Sequence, residues 1–293
     1  MSIVRIPVPA EFNYAQNLQF LKRSPKEVLH RVEADGVVKL LQVNDDLILF
    51  KVKSQGEDLV LEFINSTPSL TTKKYVENYV REWFDLETDL TTFYKLAKKD
   101  ALLKDLVKKH YGYRIIGQPD LFESLVWAVL GQQINVQFAY TLKQRFVENF
   151  GEKLSWNNQQ YFLFPTSARV ATLGDAELLP LQFSRQKSKY SVNIAEAFAN
   201  GSISKEKLKG LPLQEAKEIL MKVKGVGNWT ANYALMKTFR YPDAFPLEDA
   251  GIHNAIKNLM GMKKKPSLNK VKQIFKKYKG WEAYATLYLW KSL

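Results

Sequence analysis

The chain of 293 residues contains no cysteine and only three histidines, His30, His110 and His253, which lie far apart in the sequence. The absence of cysteine excludes disulfide bonds, iron–sulfur clusters held by thiolates and zinc sites built on cysteine. Three dispersed histidines argue against a histidine-rich metal centre. We therefore expect chemistry that uses no cofactor.

Long apolar runs are also missing. No segment approaches the roughly 18 uncharged apolar residues of a membrane span. The first residues, MSIVRIPVPAEFNY, lack the apolar core and the small-residue cleavage site of a secretory signal. These features predict a cytoplasmic protein without a membrane partner, and we expect a monomer.

Positive charge is what the chain has in excess. Its 43 lysines and arginines outnumber 30 aspartates and glutamates, which gives a net charge of +13. Such a surface favours a polyanionic partner, with nucleic acid ahead of an anionic membrane. Surface charge also serves solubility, so the charge alone does not identify the partner.

The N-terminal part has the pattern of a small sheet-and-helix domain. Three short segments within residues 36–65, GVVKLLQV, LILFKVKS and DLVLEFIN, are partly alternating and are separated by the turn signals NDD and QGED. They predict an antiparallel sheet. Helices are predicted over residues 24–36, with Ser24 as N-cap and Pro25 in the first position, and over residues 72–86.

From about residue 95 the hydrophobic spacing becomes helical. Leu121, Leu125 and Val129, for example, fall on one helical face. The sequence thus predicts an α+β protein, in which a sheet-and-helix domain over residues 1–95 precedes a larger all-α domain over residues 96–293.

A tight turn separates two predicted helices in the segment KVKGVGNWTANYALM, residues 222–236. Gly225 and Gly227 allow the backbone to come close to another molecule and to adopt angles that other residues avoid. The free amides at the start of the second helix can bind phosphate. A plain helix–turn–helix corner with a glycine cap is the alternative.

The combination L-x-x-V-K-G-V-G-x-W-T-A-N-Y resembles the helix–hairpin–helix of DNA base-excision glycosylases. In YPDAFPLED, a proline-containing loop and an aspartate follow it, and Asp249 lies 22 positions after Gly227. The segments YRIIGQPDLFESLVWAVLGQQINV, LFPTSARVATL and WEAYATLYLW are similar to the alkylation-repair branch, the DNA-3-methyladenine glycosylase II family. The resemblance extends over nearly the whole chain and is weakest in the first 90 residues.

The resemblance implies an enzyme of base excision repair that acts on double-stranded DNA. Such an enzyme extrudes a damaged nucleotide from the duplex and cuts the bond between its base and the sugar. Asp249 would be the catalytic carboxylate that stabilises an oxocarbenium-like sugar. An aspartate before a helix can also be a simple N-cap, and the two roles are compatible.

The reaction subtype follows from one position of the motif. Bifunctional members carry a lysine two residues after the last hairpin glycine, and this chain has Trp229 there. Because an indole cannot form a Schiff base, we predict a monofunctional enzyme. Water would release alkylated purines of the 3-methyladenine and 7-methylguanine type, leaving an abasic site without strand cleavage.

The resemblance also assigns the contacts to base and backbone. Aromatic side chains, which attract electron-poor bases, would form the pocket: Trp229, Tyr233, Trp290 and Phe20. Ordinary core packing is an equal alternative for Phe20. The residues expected to contact DNA are Gly225, Gly227, Thr230, Lys224, Gln132 and Gln133. Gln133 would fill the gap left by the extruded nucleotide, although both glutamines also fit as surface amides on a helix.

Further lysines are expected to extend the phosphate track: Lys187, Lys189, Lys222, Lys237 and Lys263–Lys265. In the family, hairpin carbonyls hold a monovalent cation, Na⁺ or K⁺; by position these belong to Met221, Val223 and Val226. The chain departs from relatives at Ala250, Gln133 and Lys291. A glycosylase for deaminated or oxidised bases and a non-catalytic helix–hairpin–helix DNA-binding protein therefore remain alternatives.

Overall fold

The computed structural model describes residues 3–293, and its N-terminal part is built around a five-stranded antiparallel sheet with the order β1-β5-β4-β3-β2. The strands are β1 (Ile3–Pro7), β2 (His30–Val32), β3 (Val37–Val43), β4 (Asp46–Gln55) and β5 (Asp58–Phe63). Asn44 and Gly56, both with positive φ, form the tight turns that flank β4. The predicted antiparallel sheet is confirmed.

Two helices accompany this sheet, α1 (Tyr14–Leu21) and α2 (Leu70–Trp83). Each begins at a residue whose side chain accepts a backbone amide of the first turn, Asn13 and Ser69 respectively. Apolar side chains of α2, such as Val76 and Val80, pack with those of the strands in one core. The helix predicted over residues 72–86 is therefore present.

The helix predicted over residues 24–36 is wrong. Residues after Ser24 form turns, and His30–Val32 pairs with β3 in the register His30 to Lys39. The local signals from Ser24 and Pro25 are overridden because the sheet offers this segment a backbone partner. Gly36 lies in the turn between β2 and β3. A larger residue does not fit there, because a Cβ would lie 2.4 Å from the carbonyl oxygen of Val52.

The remainder of the chain is mostly helical. Its helices are α3 (Thr91–Ala97), α4 (Lys104–Lys109), α5 (Leu121–Gly131), α6 (Val136–Phe150), α7 (Ser167–Ala171), α8 (Asp175–Leu178), α9 (Arg185–Ala199), α10 (Lys205–Leu208), α11 (Leu213–Met221), α12 (Asn228–Phe239), α13 (Ala250–Leu259), α14 (Leu268–Phe275) and α15 (Glu282–Trp290). Two short 3₁₀ turns, Leu179–Leu181 and Lys276–Tyr278, extend α8 and α14. Across residues 3–293, no helix combines the length and the apolar character that a bilayer crossing requires.

One β-hairpin interrupts the region that the sequence predicted to be all-α. Strands β6 (Lys153–Trp156) and β7 (Gln159–Phe162) are joined by Asn157 and Asn158, both with positive φ. Tyr161 of β7 is buried in a small cluster with Val38 of the N-terminal sheet. The hairpin thus packs on the sheet, and its two asparagines are the sequence signal for its turn.

The two larger hydrophobic cores among the helices both include residues of α12. Leu235 packs with residues of α5, α6 and α9 in the first core. Met236, the next residue, packs with residues of α3, α13 and α15 in the second. Because its two sides belong to different cores, α12 holds the helices that carry the candidate site in a fixed relation.

Candidate active site

The hairpin between α11 and α12 has a backbone that requires glycine. Gly225 has a φ of +107°, and a Cβ at this position would lie 2.5 Å from the Tyr190 ring. The amide of Val226 donates to the carbonyl of Val223 (3.0 Å). Gly227 is exposed and caps α12 without a side chain, so the first-turn amides of that helix lack a capping acceptor. Lys224 is exposed on the same turn.

Thr230 and Gln132 lie behind the hairpin. Gln132 donates its side-chain amide to the hydroxyl of Thr230 (3.0 Å) and to the carbonyl of Gly225 (3.2 Å). Thr230 is only 2% exposed. These contacts join the end of α5 to the hairpin, whereas contacts of either side chain with DNA stay predictions.

Gln133 lies in the loop between α5 and α6 rather than on a helix. It is exposed and has a φ of +56°. The Lys187 ammonium donates to the carbonyls of Val129 (2.9 Å) and Gln132 (2.7 Å), which fixes the end of α5 before this loop. Gln133 is therefore exposed on a loop whose start, at the end of α5, is held in place. Its insertion into DNA stays a prediction.

Asp249 is the N-cap of α13 and also the centre of a cluster of indoles. Its Oδ1 accepts the amide of Ile252 (2.9 Å) and the Nε1–H of Trp290 (2.8 Å), and its Oδ2 accepts the Nε1–H of Trp229 (3.1 Å). Three donors from α12, α13 and α15 thus fix the partly buried carboxylate. The capping role and a catalytic position coincide in one residue.

The space beside this carboxylate admits no additional atom at residue 251. A Cβ on Gly251 would lie 2.8 Å from Asp249 Oδ1 and 2.9 Å from Trp290 Cδ1. The neighbouring Glu248 is exposed and accepts the side-chain amide of Asn228 (2.9 Å). Asp249 therefore contacts the indoles, whereas the adjacent Glu248 contacts Asn228.

Three of the four predicted pocket aromatics lie together. Trp229 and Tyr233, one turn apart on α12, are stacked with ring centroids 5.4 Å apart, and Trp290 lies 6.5 Å from Tyr233. The Tyr233 hydroxyl accepts the Nε1–H of Trp127 (2.9 Å). Burial raises the pKa of Tyr233 to about 12, so its hydroxyl is neutral near pH 7. We call the surface formed by these four packed rings the aromatic recess.

Two family models match the chain. The family model for the HhH-GPD superfamily of base excision DNA repair proteins matches residues 126–280, and the model for the N-terminal domain of 8-oxoguanine DNA glycosylase matches residues 8–125. The chain belongs to the HhH-GPD superfamily and is a DNA glycosylase of base excision repair.

Several known glycosylases match nearly the full length of this chain. A DNA-3-methyladenine glycosylase of Bacillus subtilis is 40% identical over 99% of this chain and 97% of its own. The structure of a 3-methyladenine DNA glycosylase from Archaeoglobus fulgidus superposes with a TM-score of 0.84 at 23% identity, covering 99% and 97% of the two chains. A Clostridium acetobutylicum 8-oxoguanine glycosylase/lyase, solved with double-stranded DNA, gives a TM-score of 0.76 at 22% identity, with 99% and 97% covered.

The far wall of the recess in this glycosylase comes from residues that the sequence did not indicate. Trp127 of α5 and Tyr140 of α6 pack with centroids 4.9 Å apart. The Lys143 ammonium lies 5.2 Å from the Trp127 ring and pairs with Glu27 of the N-terminal part. No local pattern indicates that Glu27 pairs with α6; the sequence placed Glu27 only within the helix predicted over residues 24–36.

Phe20, the fourth predicted pocket residue, lies at this far wall and lines one cavity with Trp127 and Tyr140. Its ring packs 6.5 Å from that of Tyr113. The Arg23 guanidinium lies 3.9 Å from the Phe20 centroid, and the Lys237 ammonium lies 4.8 Å from it. The Phe20 ring therefore contacts the cationic groups of Arg23 and Lys237.

Two lysines of the predicted phosphate track are buried, which corrects their assignment. Lys187 is 7% exposed and binds the end of α5, and burial lowers its pKa to about 8. Lys237 is 3% exposed and donates to the Ile116 carbonyl, and burial lowers its pKa well below the usual value. The spacing in the sequence did not distinguish these lysines from the exposed members: Lys189, Lys222, Lys224 and Lys263–Lys265.

The donor set proposed for a monovalent cation fits such an ion chemically. Carbonyl oxygens of Met221, Val223 and Val226 are hard donors of the type that surrounds K⁺ in other proteins. The Val223 oxygen accepts one hydrogen bond and keeps a second lone pair. Within residues 3–293, no cluster of three or more acidic, histidine or cysteine side chains suits a metal ion. The hairpin cation stays a prediction.

Proposed function

We propose that this DNA glycosylase is monofunctional and that it excises alkylated purines by hydrolysis. The observation that carries the proposal is the Asp249 carboxylate, fixed by the indole N–H groups of Trp229 and Trp290 beside the aromatic recess. The names of the Bacillus and Archaeoglobus relatives, both 3-methyladenine glycosylases, support the alkylated substrate class.

The carboxylate supplies electrostatic stabilisation in the proposed mechanism. As the bond between base and sugar breaks, positive charge develops on the deoxyribose. A carboxylate that three donors already hold in place needs no reorganisation to stabilise this charge, and such groups contribute about 10²–10³-fold in rate. The faces of Trp229 and Tyr233 would meanwhile receive the cationic base.

Water is the nucleophile in this proposal. Trp229 occupies the position of the lysine that lyase-type members use, and its N–H is engaged by Asp249. Within residues 3–293, no lysine forms an ion pair with Asp249. Without an amine at the sugar no Schiff base forms, and the expected product is an abasic site in an intact strand.

The hairpin would bind the DNA backbone on one side of the lesion. The uncapped amides at the start of α12 and the exposed Lys224 offer N–H donors and positive charge to phosphate. A cation on the hairpin carbonyls would add to this charge. Replacing K⁺ and Na⁺ by a large organic cation at constant ionic strength tests that addition, because only a bound alkali ion would be lost.

Asp249→Asn tests the catalytic assignment. The amide keeps the size of the side chain and one acceptor oxygen but removes the charge, so we expect release of 7-methylguanine from methylated DNA to fall about 10²–10³-fold. DNA binding, measured by fluorescence anisotropy, should persist. Glu248→Gln, which removes the exposed neighbouring charge, is the matched control and should leave release unchanged. Equal release by Asp249→Asn and the parent would reject the mechanism.

Oxidised bases are the second candidate, and two observations favour testing them. Residues 8–125 match the model for the N-terminal domain of 8-oxoguanine DNA glycosylase, and the Clostridium glycosylase/lyase shares the fold. Duplexes carrying 7-methylguanine or 8-oxoguanine compare the two classes directly. Borohydride trapping decides the subtype, because a covalent adduct between protein and DNA would contradict the hydrolytic mechanism.

A further inference from the structure

One exposed surface carries lysines in excess and has no part in the site described above. The stretch of residues 91–111, which forms α3, α4 and the turns that follow them, has six lysines and two aspartates. Asp100 is buried and pairs with Lys277, which leaves Asp105 as the exposed negative group of this stretch. Across residues 3–293, none of the six lysines pairs with a carboxylate. We call these exposed side chains the lysine face: Lys95, Lys98, Lys99, Lys104, Lys108 and Lys109.

Part of the lysine face surrounds an exposed aromatic ring. An open groove of about 490 Å³ is lined by Tyr111 and by three members of the face, Lys98, Lys104 and Lys108. Tyr111 is 43% exposed, and its ring packs 4.8 Å from that of the buried Tyr94. The Lys98 ammonium lies 5.7 Å from the Tyr111 centroid. Because lysine ammonium groups and tyrosine hydroxyls both donate to phosphate oxygens, this combination suits the backbone of a nucleic acid.

The lysine face is attached to the helix that ends at the candidate active site. The Tyr288 hydroxyl of α15 lies 3.1 Å from the carbonyl oxygens of His110 and Tyr113, which follow α4. Tyr288 is two residues before Trp290, whose Nε1–H binds Asp249. The end of α4 therefore packs beside the end of α15, and the positive charges begin close to the candidate site.

Asp249 lies between this end of α15 and the hairpin. Its Oδ1 binds Trp290 at the end of α15, and its Oδ2 binds Trp229 at the start of α12, directly after the hairpin. Lys291 follows Trp290; burial lowers the pKa of Lys291, and the nearby charge of Lys109 lowers it further. Positive groups thus approach the carboxylate from two directions, with the hairpin at the α12 end and the lysine face at the α15 end.

We propose that the lysine face is a second DNA-binding surface, which binds phosphates of the duplex on the side of the lesion opposite to the hairpin. With the damaged nucleotide at Asp249, a duplex bound by the hairpin at the α12 end would extend past the α15 end towards the lysine face. This continuity with the candidate site favours DNA over an acidic protein as the partner. The inference rests on the proposed binding of DNA by the hairpin and does not depend on which base is excised.

Two duplexes of equal length test this placement. Each carries a stable abasic-site analogue, which is bound but not excised, and the longer arm lies 5′ of the analogue in one duplex and 3′ of it in the other. We expect Lys108→Ala/Lys109→Ala to weaken binding about 5–10-fold to one of these duplexes only, and to decrease the slope of log affinity against log salt by about 2 there. Lys224→Ala, in the hairpin, should weaken binding to the other duplex. Fluorescence anisotropy measures both affinities.

The matched control removes the same charge elsewhere. Lys207→Ala/Lys209→Ala replaces two exposed lysines at the end of α10 and should leave both affinities unchanged. Because the measurement needs no base excision, failure of the parent to release an alkylated base would reject the proposed function without deciding the role of the lysine face. Parent-like binding of Lys108→Ala/Lys109→Ala to both duplexes would overturn the inference. An equal loss on both duplexes, or a loss on the duplex that Lys224→Ala weakens, would overturn it as well.

Discussion

The two ends of the aromatic recess differ in charge and in origin. At one end, Asp249 accepts N–H groups from Trp229 and Trp290, and all three residues belong to the C-terminal helices. At the other end, Arg23 and the pair Lys143–Glu27 combine the N-terminal part with α6. A negative group thus stands at one end, and the other end combines the Arg23 guanidinium with a neutral ion pair.

This polarity suits the cleavage that we propose. The sugar gains positive charge as the bond breaks, and the departing base gains electron density. Charges placed beforehand at both ends would stabilise both changes. The N-terminal part, in this view, contributes to the recess itself as well as to the fold. Experiments that alter one end alone separate the two contributions.

The largest effect is expected at the buried ion pair of the far end. Lys143 and Glu27 have side chains that are 4% and 8% exposed. Lys143→Met would leave the Glu27 carboxylate buried without its partner, which costs about 3–5 kcal/mol in the free energy of unfolding. Urea denaturation measures the loss. The double variant Lys143→Met/Glu27→Gln removes both charges and should recover part of the stability; no recovery would contradict the pairing.

The same pair predicts how stability changes with pH. Burial acts to raise the pKa of Glu27, but the positive charges of Lys143 and His30 outweigh it and lower the pKa to about 2. The unfolded chain therefore binds this proton more readily than the folded chain. The contribution of Glu27 to stability is complete above pH about 4.5 and is lost as the pH falls towards 2. Glu27→Gln should remove this part of the pH dependence.

A smaller effect is expected at the Asp249 end, and on rate rather than on stability. Trp290→Phe keeps most of the ring but removes the Nε1–H that binds Asp249 Oδ1 at 2.8 Å. We expect base release to slow about 10–100-fold, because the carboxylate loses one of its three donors. DNA affinity should stay the same. Trp156→Phe is the control, because the Trp156 N–H has no protein acceptor in the described chain. This substitution should leave base release unchanged.

A still smaller effect on rate is expected from crowding the same carboxylate. Gly251→Ala places a Cβ 2.8 Å from Asp249 Oδ1, so that Asp249 or Trp290 must shift. Displacement of a catalytic group by a few tenths of an ångström predicts a rate about 10-fold lower. Gly131→Ala meets no atom within 4 Å and is the control for a glycine in a helix. Base release by Gly251→Ala at the parent rate would show that this position tolerates the added atom.

The comparison of the two ends also explains what the sequence could predict. Trp229, Tyr233 and Asp249 could be predicted because they belong to two neighbouring segments, residues 220–233 and 241–249, that resemble the family, and Trp290 because it ends a third such segment. Arg23 and Lys143 were missed because their partners are more than 100 residues away in the chain. A single sequence contains local periodicity but no record of such pairs.

The errors have the same physical origin. The predicted helix over residues 24–36 obeyed local capping rules, and a strand pairing that those rules ignore replaced it. Lys187 and Lys237 carry the charge expected of a phosphate contact, but packing buried both of them against backbone carbonyls. The sequence therefore predicted the class of each residue better than its exposure, and exposure decides which lysines are available to DNA.

The smallest effect concerns that difference between exposed and buried lysines. Lys224→Ala removes one exposed charge from the hairpin, so we expect DNA affinity to fall only about 2–3-fold at moderate salt, and the slope of log affinity against log salt to decrease by about 1. Lys187→Met removes a charge of the same sign that already binds the carbonyls of Val129 and Gln132. It should leave the slope unchanged while lowering the free energy of unfolding by about 1–3 kcal/mol. If Lys187→Met reduced the salt slope as much as Lys224→Ala, the buried ammonium would be acting on DNA, and the distinction drawn between the two lysines would be wrong.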